Sequence, residues 1–198
     1  MQCRDIPIAD GTLTLFEGLL SAADGDRWLE ALSRDVPWRQ EKIALFGRSV
    51  DVPRLTAWHG EAGLSYSYSG IAMAPLPWTP DLLEIKRAVE TAAGAAFNSV
   101  LLNLYRDGRD SVSWHSDDEP ELGRQPVIAS VSLGATRRFV LKHKTRKDLE
   151  PVSLDLGHGS LLIMAGATQR HWAHRIPKTR RAVGPRINLT FRRIDPTS

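Results

Sequence analysis

The sequence predicts an α+β fold in which helices come first and a jelly-roll-like antiparallel core follows. Three observations lead there. Two amphipathic helix patterns lie in the first half of the chain. Six short β-branched or apolar runs fill the second half, separated by Gly, Pro, Asn or Asp. No helical pattern lies between those runs, which argues against βαβ units and for an antiparallel sandwich or barrel.

The first helix starts at Ser21, where Asp24 three residues later completes a capping-box signal ahead of Trp28, Leu29 and Leu32. The second starts at Thr79-Pro80, with proline at the favoured first position and Leu82, Ile85, Val89 and Ala92 at helical spacing. The strands are read at 99–105, 127–133, 138–142, 152–156, 160–164 and 187–193. No repeat, low-complexity tract or linker divides the 198 residues, so one domain is expected, spanning 1–198.

Composition narrows the class. With 42% hydrophobic and 25% charged residues the chain has the makeup of a globular protein, neither disordered nor fibrous. The single cysteine, Cys3, rules out an intramolecular disulfide framework. No apolar stretch approaches the roughly 20 residues of a membrane span, and no secretory h-region is visible, so a cytoplasmic location away from membranes is expected. The net charge of +3 is unevenly spread. Residues 1–100 hold 9 Lys/Arg against 13 Asp/Glu, whereas residues 101–198 hold 17 against 10. Between Asp155 and Asp195 there is no acid at all. One-sided positive charge of this kind suits a phosphate-rich partner, although a solvated basic face would read the same.

The chemistry-bearing residues cluster late. In His115-Ser116-Asp117, ligand-type side chains at i and i+2 of an extended segment point to one side. A third ligand is sought in His171-Trp172-Ala173-His174, and two imidazoles with a carboxylate form the facial triad of non-haem iron(II) oxygenases. Zinc fits less well, because a structural zinc site usually adds cysteines. In 185–192 the alternation is strict: Ile187, Leu189 and Phe191 face one side, and Arg186, Asn188, Thr190 and Arg192 the other. Inside a closed barrel the polar row would be a dicarboxylate-binding wall; facing water it would be a basic strand edge. Asn103 and Tyr105 share one face in the same way.

Six segments, VPRLTAWHGEAGLSYSYSG, LLNLYRDGRDSVSWHSDDE, IASVSLGATRRFVLKHK, LDLGHGSLLIMAG, HWAHRIP and PRINLTFRRI, occur in an order that resembles the AlkB family of Fe(II)- and 2-oxoglutarate-dependent dioxygenases. The similar branch is that of the human double-stranded DNA demethylases. The resemblance implies a double-stranded β-helix (jelly-roll) core at about 99–194, with N-terminal helices and a nucleotide-recognition lid at about 1–98. It implies Fe(II), with 2-oxoglutarate and O2 as cosubstrates, and oxidative demethylation of alkylated DNA: 1-methyladenine, 3-methylcytosine and etheno adducts. Double-stranded DNA is the favoured partner and a monomer is expected. A relative acting on RNA or protein, or a non-enzymatic reader of damaged DNA, is the alternative.

By the same resemblance His115, Asp117 and His174 look like iron ligands, with His171 in a neighbouring non-ligand place. Asn103, Tyr105, Arg186, Asn188 and Arg192 resemble 2-oxoglutarate contacts. Arg186 is expected to lean toward Asp117 and the metal, and Arg192 to grip the distal carboxylate. Tyr66, Tyr68 and Glu119 resemble contacts to a base swung out of the duplex. Phe46 and Arg48 resemble a finger that wedges into the duplex, and Lys178, Arg180 and Arg181 a loop on the DNA backbone. His59, His143 and His158 are expected at the surface or locally bonded, and Trp28, Trp38 and Trp172 in the core.

Overall fold

Both helices begin where the sequence puts their caps. A computed structural model describes residues 2–45, 48–64, 66–68 and 71–195. In it α1 (Ala22–Asp35) is capped by the Ser21 hydroxyl, which accepts the N–H of Asp24. The Thr79 hydroxyl likewise caps α2 (Pro80–Ala93), which ends at Gly94 in the left-handed conformation. A third, four-residue helix, α3 (Thr168–His171), was not expected.

The strands are β1 (Gln2–Ile6), β2 (Thr12–Glu17), β3 (Lys42–Leu45), β4 (Arg48–Asp51), β5 (Leu55–Gly60), β6 (Tyr66–Tyr68), β7 (Ile71–Met73), β8 (Ser99–Tyr105), β9 (Val112–His115), β10 (Ile128–Gly134), β11 (Arg137–His143), β12 (Val152–Leu156), β13 (Ser160–Ala165), β14 (Trp172–Ile176) and β15 (Arg186–Arg192). A major sheet runs β1-β2-β13-β10-β15-β8-β5 and a minor sheet β12-β11-β14-β9. Every neighbouring pair in both is antiparallel. Hairpins β3–β4 and β6–β7 stand apart from these sheets. This is a jelly-roll core. All six expected strands occur, within a residue or two at their ends; β1, β2, β5, β9 and β14 join the sheets without having been read as strands.

Alternation along each strand divides the buried side chains into two cores. On one face of the major sheet, Val100, Leu102, Val131, Ile187, Leu189 and Phe191 pack with Trp28 and Leu32 of α1 and Leu82, Ile85 and Val89 of α2. The three α2 residues are wholly buried, each contributing about 1.5–3 kcal/mol. On the other face, Leu13, Leu15, Ile128, Leu162 and Met164 meet Phe139, Leu141, Leu156 and Trp172 of the minor sheet. Trp28 and Trp172 are core residues as expected, and Trp38 packs partly buried against the helix side. The apolar filling between the sheets gives way to polar side chains around β9, β14 and β15, and there the cavity lies.

Candidate metal centre and cosubstrate pocket

His115 ends β9 and pairs in register with His174 on β14, with a bulge just beyond. Their rings lie 4.2 Å apart at 60°. Asp117, two residues further along an extended segment, returns to the same side. One ligand atom from each of His115, Asp117 and His174 falls within 4.8 Å of the others. Asp117 and His174 are buried.

Hydrogen bonds decide which atoms are available. His115 Nδ1 lies 2.9 Å from the carbonyl of Ser113, which can only accept. The ring proton is therefore on Nδ1, and Nε2 keeps the lone pair a metal needs. Asp117 Oδ1 accepts from Arg192 Nη2 at 2.7 Å. Its other oxygen, Oδ2, is buried and accepts no hydrogen bond among the described residues. Burial alone would raise the Asp117 pKa, but Arg192, His174 and His115 outweigh it and hold the carboxyl down at about 2. Burial and the neighbouring His115 push His174 down to about 3, against the pull of Asp117. At neutral pH the group is thus an anion beside a neutral imidazole, the states in which both bind a cation.

These residues form one wall of a cavity of about 370 Å³. The polar row of β15 faces into it, so the alternation lines the barrel rather than a wet edge. Asn103, Tyr105, Arg186, Asn188 and Arg192 all line it, and so does Glu119. Asn188 donates to Ser130 Oγ and to the Val131 carbonyl, and its amide oxygen accepts from Thr190. Arg186 is 1% exposed, lies over the Tyr105 ring at 5.1 Å and donates through Nη2 to Ser132 Oγ. Its Nε and Nη1 are buried without an acceptor among the described residues.

The two arginines stand in the reverse of the expected order: Arg192, not Arg186, leans on Asp117. The cause is register. Arg186 lies opposite Tyr105 at one end of the β15–β8 ladder, and Arg192 lies opposite Ser99 at the other. The first is therefore held beside Tyr105, while the second is left near the 115–117 segment.

His171 stays out of the cavity, as expected. It closes the short helix α3 instead of continuing the strand, and stacks on His143. His59 and His143 are buried rather than at the surface, each locally bonded; His158 accepts the N–H of Gly134. Lys178, Arg180 and Arg181 are exposed on the β14–β15 loop. That loop is held to the 107–110 turn by the Thr179 N–H on the Gly108 carbonyl, where the Thr179 backbone leaves no room for a Cβ at 108. Phe46 lies outside the described residues, as do the side chains of Arg48, Tyr66 and Tyr68; β6 places 66 and 68 opposite 73 and 71.

Three kinds of site residue escaped the sequence reading. Arg54, 4% exposed, donates to Asn103 Oδ1 across the cavity wall. Ser130 and Ser132 were readable only as alternate small polar positions in a run that is buried throughout. Gln169, 1% exposed, accepts the N–H of Asp117, and nothing in its local sequence signals that contact.

The donor set fits Fe(II), with two imidazole nitrogens and a carboxylate oxygen converging from one side. The unmet Asp117 oxygen suits a cation, and the unmet Arg186 N–H groups suit the carboxylate of a dicarboxylic acid. The family described as the 2OG-Fe(II) oxygenase superfamily matches residues 12–192. "Alpha-ketoglutarate-dependent dioxygenase alkB homolog 3" of Bos taurus is 48% identical over 198 residues, covering 96% of this chain and 68% of that protein. "DNA oxidative demethylase ALKBH2" of Mus musculus is 41% identical over 198 residues, covering 96% and 83%. Among solved structures, "The structure of OsALKBH1" superposes with a TM-score of 0.66 at 17% identity, over 96% of this chain and 100% of that one, a likeness of fold. By profile, by relatives and by the triad at the mouth of its jelly roll, the chain belongs to the AlkB family of the 2OG-Fe(II) oxygenase superfamily.

Proposed function

We propose that this chain repairs DNA by oxidative dealkylation of N-alkylated bases, removing methyl groups from 1-methyladenine and 3-methylcytosine and the two-carbon bridge from etheno adducts. The observation that carries the proposal is the convergence of His115, Asp117 and His174 within 4.8 Å in the same cavity as a buried guanidinium with unused N–H groups. His115, Asp117 and His174 would hold Fe(II). Arg186, with Tyr105 beneath its guanidinium, would bind a carboxylate of 2-oxoglutarate. Asn103 and Asn188 line the path between. Arg192 orients Asp117 and balances its charge. When bound, iron, 2-oxoglutarate and O2 supply the oxidation: the N-methyl group is hydroxylated and leaves as formaldehyde, and the cosubstrate leaves as succinate and CO2.

The rest of the protein positions the base. Glu119 lines the cavity, where a carboxylate attracts a cationic methylated base, and Tyr66 and Tyr68 supply aromatic contacts from β6. Lys178, Arg180 and Arg181 meet the phosphates, while Phe46 and Arg48 enter the duplex beside the lesion. Relatives named DNA oxidative demethylase support DNA as substrate. Action on double-stranded DNA by a monomer belongs to the same proposal; the exposed Lys178, Arg180 and Arg181 of the β14–β15 loop support a second strand's backbone there.

The test is aerobic incubation with Fe(II), 2-oxoglutarate and a duplex bearing one 3-methylcytosine, followed by mass spectrometry of the base and a succinate assay. The expected result is an unmodified cytosine, with formaldehyde and succinate in equal amounts. Tight binding to the lesion without succinate would make the protein a reader and overturn the proposal. Oxidation of RNA or a peptide with the duplex untouched would overturn the substrate alone.

A further inference from the structure

Beyond the ladder of β9, the segment 116–119 pairs with no strand among the described residues, and besides the Arg192 contact to Asp117 it is held by contacts from α3, the start of β14 and the turn after β11. Ser116 Oγ donates to the Trp172 carbonyl at 3.0 Å. The main-chain N–H of Asp117 donates to Gln169 Oε1 at 2.9 Å, a buried bond between residues 52 apart in sequence. Lys144 Nζ then joins both segments, donating to Asp118 Oδ2 and to the Gln169 carbonyl, each at 2.8 Å. Gln169 itself cannot drift. Its helix is tied to β2 through Thr168, whose hydroxyl accepts the N–H of Thr12 at 2.9 Å and donates to the Ala165 carbonyl at 2.6 Å. Gly11 packs so closely on Thr168 that a Cβ there would collide with its hydroxyl.

We propose that Gln169 is the positioning residue of the metal centre, setting the Asp117 carboxylate through its backbone, with Lys144 as the brace. The proposal rests on the reading of Asp117 as an iron ligand. An Asp117 backbone N–H buried without an acceptor would swing toward water or a carbonyl, and the carboxylate would turn away from His115 and His174 with it. Arg192 holds only the Oδ1 end and cannot fix the main chain. Partners of this outer kind change metal affinity by about 10–100-fold when removed.

The experiment is titration of metal-free protein with Mn(II), without 2-oxoglutarate, read by the EPR signal of the free ion, alongside thermal unfolding by circular dichroism. Gln169→Leu keeps volume and loses the acceptor; it is expected to weaken Mn(II) binding by about tenfold while unfolding stays cooperative. Gln169→Glu keeps an oxygen at the same reach and is expected to restore most of the affinity. Wild-type affinity in Gln169→Leu, or equal losses in the Leu and Glu variants, would overturn the proposal. Should Gln169→Leu fail to fold, Lys144→Met decides, since that side chain is 30% exposed: weaker Mn(II) binding supports the brace and unchanged binding overturns it. Asp117→Ala separates the two layers of argument. If it binds Mn(II) like wild type, the metal assignment falls and the positioning role with it; if it loses binding while Gln169→Leu does not, the positioning role alone falls.

Discussion

Among the described residues, two groups of two histidines and one aspartate bring their ligand atoms within 4.8 Å, and they differ in which lone pairs are free. In His115, Asp117 and His174 the ring proton of His115 is held by a carbonyl on the far side, leaving Nε2 open. In Asp10, His143 and His171 the opposite holds. His143 Nδ1 accepts the main-chain N–H groups of Arg146 at 2.9 Å and Thr145 at 3.3 Å. Its proton must therefore sit on Nε2, which faces Asp10 Oδ2 at 3.3 Å. That nitrogen is a donor, not a ligand. Asp10 is also exposed, whereas Asp117 is buried against the Arg192 guanidinium. Distance alone makes both groups metal sites; the hydrogen bonds on the back of His115 and of His143 make the first a metal site and the second a hydrogen-bonded strut for the 144–146 turn.

The comparison breaks or holds most sharply on metal content. His174→Ala and Asp117→Ala are each expected to lose the bound metal and all detectable succinate formation, with little change in DNA affinity. His171→Ala is expected to keep one metal ion per chain by elemental analysis. A loss of metal in His171→Ala equal to that in His174→Ala would erase the distinction. Formaldehyde release from His174→Ala would remove that residue from the site.

A smaller effect is expected at the other end of the cavity, where among the described residues Arg186 has no carboxylate partner, whereas Arg192 pairs with Asp117. Arg186→Ala removes a desolvated charge from its ligand, a loss of at least about 2 kcal/mol, or roughly thirtyfold in 2-oxoglutarate affinity. Calorimetric titration on the Mn(II)-loaded protein measures it, and metal affinity is expected to stay near wild type. If instead the metal were lost and the cosubstrate kept, the order of the two arginines would be wrong.

The acid limb of stability sharpens the same contrast. His174 titrates near 6.5 when unfolded and at about 3 when folded. Between those values the unfolded chain binds the extra proton, so stability falls as pH drops from about 6.5 toward 3. Asp117, lowered from 3.8 to about 2, adds loss in the same direction below about 4. Urea melts of the metal-free protein are therefore expected to give lower midpoints at pH 5 than at pH 7, and His174→Ala to flatten that difference. An unchanged slope in the variant would mean that the imidazole is not protected from protonation by burial.

How much of this was legible in the sequence follows from how local each feature is. Ser21 and Thr79 cap helices through contacts three residues away, and the alternation on β15 is periodic, so both could be read directly. Which face of β15 turns inward is decided by the helices on the other side, and which arginine meets Asp117 by a strand register; neither is local. Gln169 and Arg54 act on partners 52 and 49 residues distant. The six ordered motifs carried the family, but nothing in them signals the helical turn that ends at His171.

The smallest expected effect tests the strut itself. Asp10→Asn removes a carboxylate that is 45% exposed and faces a neutral imidazole, so the effect is no larger than the roughly 0.2–1 kcal/mol of an exposed ion pair. His143 Nε2 makes no hydrogen bond to Asp10 among the described residues, so the loss belongs at the low end of that range. A metal held by Asp10 would behave differently, because exchanging its anionic ligand for an amide would release the ion and shift unfolding by an amount that grows with metal concentration. Thermal melts of Asp10→Asn with and without added Mn(II) tell the two apart: a small shift independent of the metal is the signature of a strut, and a metal-dependent shift that Asp117→Ala does not abolish would reinstate the second site.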